Sequence, residues 1–250
     1  METKDLAAIL LSVLALGLSV YATITAQRKS VDERMRTIRA QLTEVLGKLT
    51  SLNIEGAKLQ HEARNDHQYL TLVNAALGQQ NGFLLDQAVF LSEQIPTLVT
   101  TYEFKTIAMA DFQAGNVLRA ETHQLKAIAA APTDLYKSQA IRGYAFFLYQ
   151  LARISEGREQ FRRAVDTLKG PDNLVHLSNG YTYQMWALNE LHYARSPELA
   201  SEYFENARKE YRAVDVEFLR NKAMADLEAA RTTPQSPVTT FNRRVADSTP

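Results

Sequence analysis

One long apolar stretch, from Leu6 to Ala26, constrains this chain more than any other part of its sequence. It contains no charged residue and consists mainly of Leu, Ala, Val and Ile. An α-helix rises about 1.5 Å per residue, so roughly 20 such residues match the ~30 Å hydrocarbon core of a bilayer. The stretch therefore predicts a single transmembrane helix over 6–26. A short flank over 1–5 precedes it, and the helix would tether the rest of the chain to a lipid bilayer.

A cleaved signal peptide is the alternative, because Val20-Tyr21-Ala22 is a passable small-residue cleavage site. The apolar run, however, is longer than the roughly 7–15 residues usual in a signal peptide. The charge in front of it is also weak, since Lys4 is offset by Glu2 and Asp5. We therefore favour a signal-anchor that stays in the protein.

Charged residues that flank the predicted span indicate its orientation. Acidic residues are few after the span, and the basic residues there are Arg28, Lys29, Arg34, Arg36 and Arg39. Cationic flanks are retained on the cytoplasmic side, so we expect the bulk of the chain in the cytoplasm (N-out/C-in). A periplasmic or other extracytoplasmic location is the alternative. The absence of cysteine fits a reducing compartment without requiring one.

Composition narrows both the partners and the fold class. Lys and Arg together number 28, as do Asp and Glu, so no global charge indicates nucleic acid as a partner. Alternating β-branched and aromatic runs bounded by tight-turn dipeptides, which would indicate strands, are missing. We therefore predict an all-α fold.

Residues 27–66 form a charged segment with a heptad seam. Its apolar positions alternate spacings of four and three residues, a pattern typical of coiled coils. β-branched residues in one set of positions and Leu in the other favour a parallel pair. We favour self-association through Val31, Met35, Ile38, Leu42, Val45, Leu49, Leu52 and Leu59. The alternatives are packing of this stripe within the chain and a lone stalk.

Residues 67–231 consist of helices separated by Gly, Pro and Asn, which predicts a stack of antiparallel hairpins. The predicted helices cover 67–78, 83–95, 97–113, 116–130, 134–152, 156–169, 172–192, 197–212 and 214–231. The GQQNG sequence from Gly78 to Gly82 is interpreted as a helix stop and restart. The rest, 232–250, is rich in Pro, Ser and Thr, and we expect a disordered tail with Phe241 and Arg243-Arg244 as a weak docking peptide.

Three hairpins share a small residue, a larger residue and an alanine at fixed spacing in their second helix. The three units are Ala120-x3-Gln124-x2-Ala127, Gly157-x3-Phe161-x2-Ala164 and Ala200-x3-Phe204-x2-Ala207. This pattern resembles the tetratricopeptide repeat, in which a proline follows the alanine, as Pro132 does here. Phe104, Ala108 and Ala145 fit positions of the family's first helix. The tryptophan that the family places near the start of the repeat is absent. The resemblance covers about 100 residues well and up to 165 loosely, and it implies a tetratricopeptide-like stack.

In such a stack the first helix of each hairpin lines the concave surface. The resemblance therefore implies a groove for a protein or peptide partner, lined by Lys105, Met109, Phe112, Arg142, Phe146, Tyr149, Trp186, Asn189 and Tyr193. The carboxylate clamp of two lysines and an asparagine, found in part of the family, is not reproduced. Met109 and Phe146 stand where amides would be expected.

The common sequence motifs of catalytic and cofactor-binding sites are missing. Four common motifs do not occur: the phosphate-binding GxxxxGK[ST], the dinucleotide-binding GxGxxG, and the GxSxG and HExxH motifs. Thiolate catalysis is excluded because the sequence has no cysteine. We expect no enzyme, no cofactor and no metal site. The prediction is a membrane-anchored adaptor or scaffold. The alternative is an accessory or sensor subunit of a membrane complex whose transmembrane helix contacts other subunits.

Overall fold

The computed structural model describes the backbone of residues 3–62 and 66–232, and the side chains of Gln27, residues 29–62 and residues 66–232. All regular secondary structure in these ranges is helical, which confirms the all-α prediction. The chain divides into two compact units, residues 1–99 and residues 100–250. Apart from Thr232, the predicted tail lies outside the described residues.

No helix is long and apolar enough to cross a membrane within the part of the chain whose side chains are described. The predicted span, Leu6–Ala26, lies outside that part.

The first unit is built from two long helices, α1 (Thr3–Glu62) and α2 (His67–Gln94), which pack against each other. Gln60 donates a hydrogen bond to Asn74 over 2.8 Å, and Gly56 contacts Leu77. The partners follow each other in reverse order, so the helices run antiparallel. Asp66 caps α2, because its carboxylate accepts hydrogen bonds from the backbone N–H groups of the residues two and three positions on.

The heptad seam of α1 is largely used inside this hairpin. Its central residues, Ile38, Leu42, Val45, Leu49 and Leu52, are buried. Leu59 and Met35 are half-buried, and Val31 remains exposed. Within the first unit, α2 is the helix that covers α1. For the centre of the seam, the structure therefore shows the alternative that the sequence left open, packing within the chain.

The predicted break between helices 67–78 and 83–95 is wrong, since α2 is one continuous helix. Two internal glycines, Gly78 and Gly82, each cost helix stability of about 1 kcal/mol relative to alanine. Burial continues on both sides of them, at Val73 before and at Leu84 and Ala88 after. Burying one apolar side chain is worth about 1.5–3 kcal/mol, so packing against α1 outweighs the cost of the glycines.

Over its described residues, 100–232, the second unit consists of three helical hairpins and a final helix. The hairpins pair α3 (Thr101–Gln113) with α4 (Val117–Ala129), α5 (Asp134–Gln150) with α6 (Ile154–Thr167), and α7 (Asn173–Asn189) with α8 (Pro197–Arg212). A π-helical turn, Glu190–Ala194, extends α7, and Arg195 ends it in the left-handed conformation. The last helix, α9 (Glu217–Thr232), packs on α8 and buries Leu227, as expected of a capping helix.

The first helices of the hairpins, α3, α5 and α7, pack side by side, and each second helix also contacts the first helix of the next hairpin. This arrangement is helical-repeat-like. The repeated small and larger residues of the second helices lie at the packing interfaces. All nine are buried: Ala120, Gln124, Ala127, Gly157, Phe161, Ala164, Ala200, Phe204 and Ala207.

Gly157 shows why one of these positions must be small. A Cβ at this position would lie 2.5 Å from the Tyr149 ring and 3.3 Å from the carbonyl oxygen of Ala145. The backbone of α6 therefore rests directly on α5, and an alanine there would have to move a fully buried ring. Gly78, by contrast, has nothing within 4 Å of the same point.

The two kinds of glycine predict opposite effects of the same substitution. We expect Gly157→Ala to lower the free energy of unfolding of the second unit by about 1–3 kcal/mol, because it overpacks the hairpin. We expect Gly78→Ala, the matched control, to raise that of the first unit by roughly 0.5–1 kcal/mol, because it removes backbone entropy without a clash. Urea unfolding followed by circular dichroism measures both. A Gly157→Ala variant that is as stable as the wild type, or more stable, would contradict the close approach of α6 to α5.

Candidate partner-binding site

The side-by-side packing of α3, α5 and α7 creates a common surface, called here the first-helix face. It presents Tyr102, Lys105 and Met109 from α3, Gln139, Arg142 and Phe146 from α5, and Tyr181 from α7. The Tyr102 hydroxyl donates a hydrogen bond to the Gln139 side-chain oxygen over 3.1 Å. This face thus joins residues that are up to 79 positions apart in the chain (181 − 102).

Arg142 lies across the boundary between α5 and α7. Its guanidinium donates a hydrogen bond to the Thr182 hydroxyl over 3.1 Å, and its central carbon lies 4.6 Å from the centre of the Tyr181 ring. Arginine over an aromatic face is an attractive arrangement because the ring's π cloud is negative. The arginine is held in place by neutral groups, and its charge is not neutralised by them.

Lys105 comes from the neighbouring helix and lies close to Arg142 in the fold. Its Cε is 3.4 Å from where a Cβ of Gly143 would lie, and its ammonium is 5.6 Å from the centre of the Tyr102 ring. Burial, and then the charge of Arg142, lower the pKa of Lys105. Within the described part of the chain, neither cation forms an ion pair with a carboxylate.

Acidic groups of the first helices are occupied elsewhere. Glu103 closes a capping box with Thr100 at the start of α3. Asp111 is fully buried and binds His123 over 2.8 Å as well as Arg119. The only acid of α5 is Asp134 in its first turn, and α7 has none over 173–189. Among residues 100–232, the first-helix face therefore carries positive charge without a matching carboxylate nearby.

The predicted groove residues divide between surface and core. Met109 is exposed, and Lys105, Phe112, Arg142, Phe146 and Tyr193 are half-buried. Tyr149, Trp186 and Asn189 are buried, so they are unavailable to a ligand in this conformation. Phe112 packs edge-on against Phe147, and Phe146 packs edge-on against Tyr193. The structure therefore brings Lys105 and Arg142 together, leaves Met109 exposed on the same helix as Lys105, and packs Phe146 against Tyr193.

A buried cluster around Glu190, which sequence reasoning did not find, explains why those residues lie inside. Glu190 begins the π-helical turn and is fully buried. Arg158 of α6 binds its two carboxylate oxygens over 2.8 and 2.7 Å, and the Tyr149 hydroxyl donates to it over 2.6 Å. The Trp186 indole N–H donates to the same carboxylate over 3.2 Å. No sequence signal marks Glu190, because its partners come from three different helices.

The ionisation of Glu190 follows from this environment. Burial raises the pKa of a carboxyl group, but the hydrogen bonds from Arg158 and Tyr149 and the charge of Arg158 outweigh it, so the pKa of Glu190 is lowered. The carboxylate is thus held ionised at the junction of the second and third hairpins. A second polar junction, between Glu121 of α4, Tyr144 of α5 and Arg153, connects the first and second hairpins.

In both clusters, ion pairs and hydrogen bonds connect different helices, so we interpret the clusters as contacts that hold the hairpins together. No group of three or more His, Asp or Glu side chains that could hold a metal ion is present among the described residues.

Comparisons with known proteins do not extend these observations. No protein-family model matches the sequence, and neither the curated proteins nor the solved structures searched contain a match. The relation to tetratricopeptide repeats therefore stays an interpretation of the sequence pattern and the hairpin stack.

The Glu190 cluster predicts a pH-dependent effect of one substitution. Removing one partner of a buried ion pair lowers the free energy of unfolding by about 3–5 kcal/mol. The Arg158 side chain is 34% exposed and can turn to water, so we expect Glu190→Gln to lower it by only about 1–3 kcal/mol at pH 7. The ionised form of Glu190 is favoured in the fold. Its contribution is therefore complete above the unfolded pKa, 4.5, and is lost as the pH falls through the lower folded pKa.

Urea unfolding at pH 7 and in steps below pH 4.5 measures this difference. The matched control is Glu159→Gln, which breaks an exposed ion pair with Arg162 on the same helix and should change stability by less than about 1 kcal/mol. A difference between wild type and Glu190→Gln that does not shrink in acid would show that the carboxylate's charge is not what stabilises the junction.

Proposed function

We propose that this chain is a non-enzymatic, membrane-anchored adaptor that holds a partner protein on the first-helix face of a tetratricopeptide-like stack. The observation that carries the proposal is the pair Lys105 and Arg142. Charges taken out of water are normally paired, because an unpaired buried charge costs several kcal/mol, on the order of 3–5 when a partner is missing. An anionic group from a partner would complete the pairing.

The surroundings of the two cations support a peptide segment with acidic residues as the ligand. Carboxylates are the natural partners of a guanidinium and an ammonium, and hydrogen bonds to charged groups are worth about 1.5–3 kcal/mol. The Tyr102 hydroxyl and the Gln139 amide supply neutral hydrogen-bonding groups beside the cations. Met109 and Phe146 supply apolar contact for neighbouring side chains of the same segment.

Membrane attachment is the second part of the proposal, supported by the uncharged stretch Leu6–Ala26 and the basic residues that follow it. The span would act by colocalisation, since a tethered binding surface meets membrane-bound partners at a raised effective concentration. The proposal includes the pairing of two copies of the chain, because a pair would present two first-helix faces to one partner. Catalysis is not required for this mechanism.

The second candidate is an accessory or sensor subunit of a membrane complex. Gly17, between Ala15 and Ser19, would give the proposed span a face of small residues, and small residues allow close packing of helices in a bilayer. Loss of a co-purifying membrane complex on Gly17→Leu, with the first-helix face intact, would favour this candidate over the adaptor.

The adaptor proposal predicts that removing one cation weakens binding without weakening the fold. We expect Lys105→Met to reduce the affinity for a fluorescein-labelled library of Asp-, Glu- and Leu-containing peptides by roughly 10-fold, as expected for one charge-assisted contact. Stability should not fall, because the methionine keeps the apolar stem and the repulsion from Arg142 is relieved.

Fluorescence polarisation measures the affinity, and urea unfolding the stability. The control is Lys169→Met, whose side chain is exposed and paired with Asp166, and which should leave binding unchanged. Equal binding by wild type and Lys105→Met, or equal binding of a library with Lys in place of the acids, would count against the first-helix face.

The predicted orientation can be tested with a single introduced cysteine, because the chain has none of its own. With the second unit in the cytoplasm, Lys169→Cys should react with a membrane-impermeant maleimide only after the cells are permeabilised. The membrane fraction should keep the protein after carbonate extraction. Labelling of intact cells would instead show an extracytoplasmic location, and release by carbonate would contradict a spanning anchor.

A further inference from the structure

The first unit leaves a row of large apolar side chains uncovered on α2. Tyr69, Leu72, Phe83 and Phe90 are 47%, 69%, 72% and 63% exposed. Tyr69, Ala76, Phe83 and Phe90 follow one another at intervals of seven residues, which places them in one stripe along the helix. We call Tyr69, Leu72, Ala76, Phe83 and Phe90 the α2 stripe.

The α2 stripe lies away from the contact with α1. The buried residues of α2 include Val73, Leu84, Ala88 and Leu91, the last three at spacings of four and three, and Leu77 contacts Gly56 of α1. At 3.6 residues per turn, these positions fall on a different side of the helix from the stripe. When two helices pack only against each other, one side of each helix is covered and the other side faces water. A further packed element is needed to cover that second side.

We propose that the α2 stripe binds the α2 stripe of a second copy of this chain, so that two α1–α2 hairpins form a four-helix bundle. The inference rests on the pairing that is part of the proposed function. It assigns that pairing to α2 and not to the seam of α1, whose centre is already buried within the hairpin. A symmetric contact of one surface with itself is the commonest way for identical chains to dimerise.

The exposed side chains of the α2 stripe supply most of the area that a stable self-contact needs. An aromatic side chain can bury about 150–250 Å², so four large side chains that are about half to three-quarters exposed offer on the order of 400 Å² per copy. Two copies would bury about 800 Å² through these side chains alone, against roughly 1,200 Å² at the low end of stable interfaces. Ala76 and the residues bordering the stripe would supply the remainder.

The charge pattern of α2 favours a second copy over a lipid surface. Gln80, Gln87 and Gln94 border one edge of the stripe, four residues after Ala76, Phe83 and Phe90, so two copies can meet along that edge without like-charge repulsion. Helices that lie on membranes carry Lys and Arg beside their apolar face to attract anionic lipid. α2 has neither, and its formal charges in this region are Asp86 and Glu93.

The experiment uses the full-length chain in a mild detergent and measures its mass by size exclusion with light scattering. We expect a dimer for the wild type and a monomer for Phe83→Glu/Phe90→Glu, which would place four carboxylates in the apolar contact. The matched control is Leu118→Glu/Leu174→Glu, which changes two side chains of similar exposure on α4 and α7 and should leave the dimer intact. Circular dichroism should show equal helix content in all three.

A cysteine test locates the contact directly. In the chain, which lacks cysteine, Gln87→Cys should give a disulfide-linked dimer on mild oxidation, while Lys169→Cys should not. A monomeric wild type, or a dimer that survives Phe83→Glu/Phe90→Glu, would overturn the proposal. A fluorophore attached at Gln87→Cys reports the polarity around the α2 stripe. A monomeric protein whose fluorophore enters an apolar environment only when phosphatidylcholine–phosphatidylserine vesicles are added would also overturn the proposal, because the stripe would then bind lipid.

Failure here is distinguishable from failure of the adaptor function. Phe83→Glu/Phe90→Glu should bind the acidic peptide library on the first-helix face as the wild type does, because the substitutions lie in the other unit. The wild-type dimer could instead be lost in Val31→Glu/Met35→Glu and kept in Phe83→Glu/Phe90→Glu. That result would support pairing of two copies and reject the α2 stripe as the surface through which they pair.

Discussion

The close approach of two helices within each hairpin is the constraint on which the second unit depends. It requires small residues where the helices meet, and Gly157 is one such case, since the Tyr149 ring occupies the place of its missing side chain. The same contact fixes the direction of the Tyr149 hydroxyl, which then meets Glu190 of the next hairpin. Packing inside one hairpin thereby positions the polar group that joins it to its neighbour.

Charge is distributed unevenly over this stack. Some charged side chains of the second helices are paired along the same helix, as Glu159 is with Arg162 and Glu205 with Arg208. The buried acids Asp111 and Glu190 are neutralised by neighbouring cations. Lys105 and Arg142 are the departure from this rule among the cations described on the first-helix face. A surface that keeps two desolvated positive charges close together carries a cost to the free protein, which a bound anion would remove.

The heptad seam illustrates how one pattern permits two structures. Spacings of four and three predict that a stripe of α1 will be covered by another helix, but any helix with a matching stripe satisfies this requirement. The second helix of the same chain lies only a few residues away, and a short connection makes the antiparallel contact entropically cheap. α2 therefore covers the centre of the seam, and the α2 stripe lies on a different side of α2.

Local information in the sequence was enough for the helices and for most of the core. The all-α class, the three hairpins of the second unit and the small residues at their interfaces follow from periodicity, glycine and proline positions, and a short repeated pattern. The prediction erred at Gly78–Gly82, because glycine weakens a helix by an amount that packing against α1 exceeds. It also assigned Tyr149, Trp186 and Asn189 to a groove, because helical periodicity identifies a face without showing which neighbour covers it.

Tertiary structure decided which charges are compensated. Glu190 is neutralised by Arg158, 32 residues away, and hydrogen-bonded by Tyr149, 41 residues away, so no local pattern could mark it. Lys105 and Arg142 became neighbours only through the packing of α3 beside α5. Electrostatic energy depends on distance and burial, and both are set when helices pack. The sequence by itself determined where helices form and which faces are apolar, because these depend on residues within a few turns. The fold alone decided which of the described cations have no carboxylate beside them.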